Sequence, residues 1–174
     1  MSKYMLTMLF LFPILILVQV LVFNHIMLFN LAVPFVFIYF ILRLPIGMPA
    51  NLVLSLSFLI GMLVDIFSDT PGVNALACTV LAAVKTPVFY AYVPRDDKTK
   101  RIVPAISTLG WQTYAKFLIT MVAIFCLLCF IVEYFSFAGF LNILAMAGTS
   151  TALSFFLIFG IDSLIKPDAN ILVT

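Results

Sequence analysis

Long apolar runs separated by short polar turns dominate this chain. The runs cover Tyr4–Phe23, Met27–Leu42, Asn51–Phe67, Val73–Val93, Gln112–Tyr134 and Leu141–Leu164. Each approaches the ~20 residues that an α-helix needs to cross a bilayer. A membrane barrel would alternate polar and apolar positions; the stretch Met5–Val18 does not. The pattern predicts an all-α polytopic membrane protein with six transmembrane helices in a single integral membrane domain, residues 1–174. The second run is the shortest and contains Pro34. The links Asn24–Ile26 and Ser68–Gly72 are tight enough to make hairpins of spans one and two and of spans three and four. Pro45, Gly47 and Pro49 form a stiff turn between spans two and three. Lys3 ahead of an apolar run mimics a signal peptide. No small-x-small cleavage site precedes Asn24, so the run reads as a retained first span.

Composition agrees: 65% of residues are hydrophobic and 9% are charged, which excludes an ordinary soluble protein. The placement of charge says more than the net value of +2. With six spans, Lys3, Arg43, Arg95, Lys98, Lys100, Arg101 and Lys166 share one side, and the opposite loops carry no Lys or Arg. The positive-inside rule then predicts cytoplasmic N- and C-termini and a cytoplasmic fourth loop, Pro94–Arg101. Its Arg95, Lys98, Lys100 and Arg101 suit anionic headgroups of the lipid bilayer, a solvated topology anchor, or a cytosolic partner. Nothing in the pattern suggests nucleic-acid binding.

This topology sorts the remaining charges by depth. Asp65, Asp69 and Glu133 fall toward the outer surface; Lys85, Lys116 and Asp162 fall in the inner half. Lys85 lies 13 residues beyond Gly72, about 20 Å along a helix, so an Asp65–Lys85 pair is disfavoured. Asp162 pairing with Lys85 or Lys116 is geometrically easier. Glu133 ends span five beside Tyr134, which reads as a carboxylate surfacing among interfacial aromatics. Small residues at helical spacing mark close-packing faces: Ser57 and Gly61 on span three, Ala75, Cys78, Thr79, Ala82, Ala83 and Thr86 on span four, and Ala145, Gly148, Thr149 and Ala152 on span six. Spans three, four and six are therefore expected at the centre, with bulky spans one and two peripheral.

Reactive chemistry is sparse. Cys126 and Cys129 form a C-x-x-C, but they and Cys78 sit among apolar neighbours and read as small buried hydrophobes. The lone histidine, His25, falls in a turn, far from a nucleophile needing a base. No phosphate-binding loop or metal-ligand spacing occurs, so no catalytic residue, metal or cofactor is expected. The segment that stands out is Gly61–Ala77. Asp65 and Asp69 lie four residues apart and could share a helix face, to bind a cation or relay protons. Ser68, Asp69 and Thr70 also suit helix capping, and Pro71 and Gly72 suit a reversal. Asp65 lies inside span three, where a charge is costly. Buried polar packing, partner contact and transport or proton work all remain open for it.

The residues Pro45-Ile46-Gly47-Met48-Pro49, then Ser57-Phe58, Gly61, Asp65-Ile66-Phe67-Ser68-Asp69-Thr70-Pro71-Gly72, Asn74-Ala75 and Ala77, resemble the rod shape-determining protein MreD family. Pro94-Arg95-Asp96 and Glu133 look similar too. The specific part runs from about Pro45 to Asp96; the ends match in hydrophobicity. The resemblance implies a non-catalytic bacterial inner-membrane component of the cell-elongation machinery, acting in cell-shape determination and lateral peptidoglycan synthesis. Its implied partners are the bitopic membrane protein MreC, the MreB filament, and the wall-building transpeptidase and glycosyltransferase. The implied fold is similar to the membrane substrate-binding subunits of vitamin transporters. Asp65, Ser68, Asp69, Pro71, Gly72 and Asn74 fall on the family signature, with a partner-binding or structural role. The competing reading is such a transporter subunit, with Asp65, Asn74 and Glu133 lining a ligand pocket. Those subunits dock a coupling protein through Ala-x-x-x-Ala in the first span, and this first span has no alanine. A membrane enzyme is disfavoured by the missing catalytic constellation.

Overall fold

In a computed structural model of the chain, residues 3–22, 33–94, 102–133 and 140–164 are described, apart from the side chains of residues 3–9 and 140. The link Asn24–Ile26, residues 27–32 of the second run and the basic run Arg95–Arg101 lie outside them. All regular secondary structure among the described residues is helical: α1 (Lys3–Leu21), α2 (Ile38–Arg43), α3 (Ala50–Ser68), α4 (Val73–Tyr92), α5 (Ile106–Leu109), α6 (Trp111–Glu133) and α7 (Phe140–Leu164).

Four of these, α3, α4, α6 and α7, are long and apolar enough to cross a membrane. Their ends agree with the hydropathy pattern to within one residue. Large apolar side chains are exposed on these helices: Phe58, Met62, Ile66 and Phe67 on α3, and Leu141, Leu144, Phe156 and Leu164 on α7. Contiguous exposure of this kind fits a lipid surround and not water. The chain is a multi-pass helical membrane protein.

The second run departs from expectation. Its described part is non-helical over residues 33–36 and helical only at α2. Pro34 lacks an amide hydrogen and disfavours helix before it. Non-helical backbone inside a membrane bundle needs partners, and side chains from two other helices supply them. Val33 N–H donates to Ser150 Oγ at 3.0 Å and Phe35 N–H to Ser154 Oγ at 2.8 Å. Gln19 of α1 donates from Nε2 to the Pro34 carbonyl and accepts from Val36 N–H at Oε1, both at 2.9 Å.

This segment is also central, which corrects the expectation that the second span is peripheral. Val36 through Leu42 are all buried. Phe35 and Phe37 pack edge-on against Phe125 of α6, with ring centroids 5.2 and 5.7 Å apart. The centre comprises α2, α4 and α6. On α7 the small residues Ala145, Gly148, Thr149 and Ala152 do not make the packing face: all four are exposed. The buried stripe is Ala147, Ser150, Ser154, Ile158 and Asp162. Two of its members, Ser150 and Ser154, accept the Val33 and Phe35 amides.

Candidate functional site

At the turn between α3 and α4, the first amides of α4 need acceptors. The residue at its N-cap, Gly72, has φ of 83° and no side chain to offer one. The acceptor comes from the preceding helix. Asp65, one turn before the end of α3, is buried and directs both carboxylate oxygens at the start of α4. Oδ1 accepts from Asn74 N–H (3.0 Å), Asn74 Nδ2 (3.0 Å) and Thr70 Oγ1 (2.8 Å), and Oδ2 accepts from Ala75 N–H (2.8 Å). A negative charge here also meets the positive end of the α4 dipole. Asn74 Nδ2 donates further to Thr70 Oγ1 at 3.1 Å, and Cys129 of α6 sits 3.8 Å from Asn74 Oδ1.

The arrangement requires the two helices to touch. A Cβ built on Gly61 would lie 2.6 Å from both Ala75 Cα and the Asn74 carbonyl oxygen. Glycine is what lets Asp65, one turn on, reach the α4 amides. Ser57, a further turn back, is buried and bonded to its own helix at Val53 O. Ala75, Cys78 and Ala82 of the expected packing face are buried, whereas Ala83 and Thr86 are exposed.

Capping, which the sequence placed on Asp69, thus falls to Asp65. Asp69 is exposed and ends α3 in the left-handed conformation, with φ of 57°. A short polar side chain tolerates that conformation better than most. Beside the hairpin lies a shallow groove of about 800 Å³, whose lining includes Phe58, Met62, Ile66, Leu76 and Val80 together with Asp65 and Asp69. Asn74 and Glu133 do not line it. Glu133 ends α6 on an exposed surface.

A second polar cluster lies at the opposite end of the bundle. Asp162 of α7 is buried, but it is not brought to Lys85 or Lys116. Its Oδ1 accepts from the Tyr39 hydroxyl at 2.7 Å and lies 3.4 Å from Arg43 Nη1; its Oδ2 accepts from Ile106 N–H at 2.9 Å. The Arg43 guanidinium also lies 5.5 Å from the centroid of the Tyr39 ring, within cation–π range. Lys85 is buried and points at the end of α2, where Nζ donates to the carbonyls of Ile41 (2.9 Å) and Leu44. A cation at helix-terminal carbonyls is favourable without a carboxylate. Lys116 is exposed. Tyr114 of α6 is buried, and its hydroxyl has no hydrogen-bond partner among the described residues.

Sequence reasoning missed Arg43, Tyr39 and Gln19. Arg43 was legible as a loop charge, but its turn inward depends on where α2 ends. Tyr39 and Gln19 carried no signal beyond being polar atoms in apolar runs. Cys78, Cys126 and Cys129 are buried free thiols. Among the described residues no cluster of His, Cys, Asp and Glu could hold a metal ion. Compared with known proteins, the chain matches no family model, no curated protein and no solved structure.

Proposed function

We propose that this chain is a non-catalytic scaffold of the cell-elongation machinery in the bacterial inner membrane, with both termini cytoplasmic. It acts by binding an MreC-type bitopic membrane protein and, through it, the wall-building enzymes. The observation that carries this reading is the use made of the signature residues. Asp65, Thr70, Gly72 and Asn74 spend their polar capacity on one another and on the start of α4. A carboxylate with four internal donors is poorly placed to bind a substrate or pass a proton. What it builds is a rigid hairpin with an apolar groove on its lipid-facing side, a surface suited to contact with another membrane helix.

The test is purification in mild detergent with identification of co-purifying proteins. Recovery of a bitopic coiled-coil protein supports the scaffold. Recovery of an ATPase module together with a bound small molecule overturns it in favour of the transporter subunit.

A further inference from the structure

We propose that Lys116, on the seam between α4 and α6, binds the headgroup of an anionic phospholipid in the leaflet at the Arg43 end of the bundle. Helix α6 begins at that end, since Ile106 just before it bonds to Asp162, the partner of Arg43. Lys116 lies five residues after Trp111, the first residue of α6, which is about 7–8 Å along the helix axis. It is exposed, and among the described residues it forms no ion pair. An ammonium on a membrane-spanning helix is costly unless it is paired or reaches the headgroups. Trp111 is exposed at the start of the helix and suits the interface, which leaves Lys116 within snorkelling reach of the phosphates.

The surface around Lys116 divides into a polar and an apolar part, as a phospholipid does. Gln112, one turn nearer the helix start on the same face, is exposed, and its side-chain N–H can donate to a phosphate oxygen. Thr120, one turn deeper, donates from Oγ1 to the Lys116 carbonyl at 2.9 Å. Its one hydrogen is spent there, so the Tyr92 hydroxyl of α4, 2.9 Å from the same oxygen, is a donor to it. That bond ties the exposed Tyr92 ring to α6 one turn from Lys116. Further along α6, Ile119, Leu127 and Ile131 are exposed and offer a track for acyl chains. A free phosphate ion would leave that track uncovered; a phospholipid uses both parts. The proposal requires only that α6 lie in a bilayer and stands apart from the scaffold reading.

The test is native mass spectrometry of the full chain in detergent, titrated with phosphatidylglycerol or with phosphatidylcholine of the same acyl chains. Lys116 is exposed, so its replacement leaves the packing of the bundle intact, which circular dichroism checks. Lys116→Gln should weaken phosphatidylglycerol binding about fivefold, the contribution of one lysine near an anionic headgroup, and phosphatidylcholine binding by less than about twofold. Lys116→Arg keeps the charge and should keep the preference. Glycerol 3-phosphate, an anion of the same kind without acyl chains, should not displace the bound phosphatidylglycerol at equal concentration. An unchanged preference in Lys116→Gln, an equal loss in Lys116→Arg, or displacement by glycerol 3-phosphate overturns the proposal. Loss of a co-purifying protein from Lys116→Gln with its lipid preference unchanged would overturn it too, in favour of a partner helix carrying a carboxylate.

Discussion

Replacing Asp65 tests the physical account of the hairpin. In Asp65→Ala the side chains of Thr70 and Asn74 can still bond each other, as they already do at 3.1 Å. The Asn74 and Ala75 amides cannot recover, since both are buried and have no other acceptor of comparable geometry. Losing a cap costs about 0.5–2 kcal/mol, and each buried amide left unpaired costs about 1–3 kcal/mol. Relief from burying a charge offsets part of this, so a loss of about 3–5 kcal/mol is expected. Asp65→Asn keeps one acceptor oxygen and turns an N–H toward one of the amides, for about 1–3 kcal/mol. The assay is reversible unfolding in mixed SDS micelles followed by circular dichroism. Asp65→Ala within about 0.5 kcal/mol of the unmutated chain, or no gap between the two variants, refutes the cap. If Asp65 were chiefly a partner contact, both variants would keep full stability and lose only the partner.

Four further outcomes follow from the same geometry. Gly61→Ala forces α3 and α4 apart at Ala75 and should cost about 1–3 kcal/mol in the same assay, with a loss as large as that of Asp65→Asn if the cap is broken too. Asp69→Gly relieves a left-handed position and should raise stability by up to about 1 kcal/mol; a loss would show that the carboxylate itself matters. Tyr39→Phe removes a buried donor to Asp162 and should cost about 1.5–3 kcal/mol, whereas Tyr114→Phe removes a hydroxyl without a partner and should be neutral or stabilising. In double-mutant cycles, Arg43→Met with Asp162→Asn should show coupling above about 0.5 kcal/mol, while Lys116→Met with Asp162→Asn should add within about 0.5 kcal/mol.

Much of the architecture was legible because hydropathy acts locally. The ends of α3, α4, α6 and α7 follow from where apolar runs stop. The intimacy of α3 and α4 follows from Gly61 and the short turn after Ser68. What was not legible depends on helix rotation and on partners far along the chain. On α7, two stripes of small or polar residues have the same period, and nothing local distinguishes Ala145–Ala152 from Ala147–Asp162. The partners that distinguish them are distant: the Val33 and Phe35 amides, 117 and 119 residues from the serines they meet. Depth along the membrane placed Asp162 correctly in one half of the bundle. It could not show that α2 would end where Arg43 turns toward that carboxylate and leaves Lys85 to the carbonyls of Ile41 and Leu44.

The same division runs through the candidate site. That Asp65 is buried was readable from its place inside an apolar run. That it caps the next helix was not, because capping is ordinarily sought at the N-cap itself, and here that position is a glycine with positive φ. An acidic residue about one turn before a tight Pro-Gly reversal, facing a small residue in the following helix, is the local pattern that would have pointed to it.

The proposed role is to organise partners in wall elongation, as opposed to carrying a small molecule. Depletion of the chain from its native cells, with cell shape followed by microscopy and nutrient uptake measured in parallel, tests this most directly. The account predicts loss of normal cell shape with uptake unchanged. Normal shape with loss of uptake of one nutrient would contradict it.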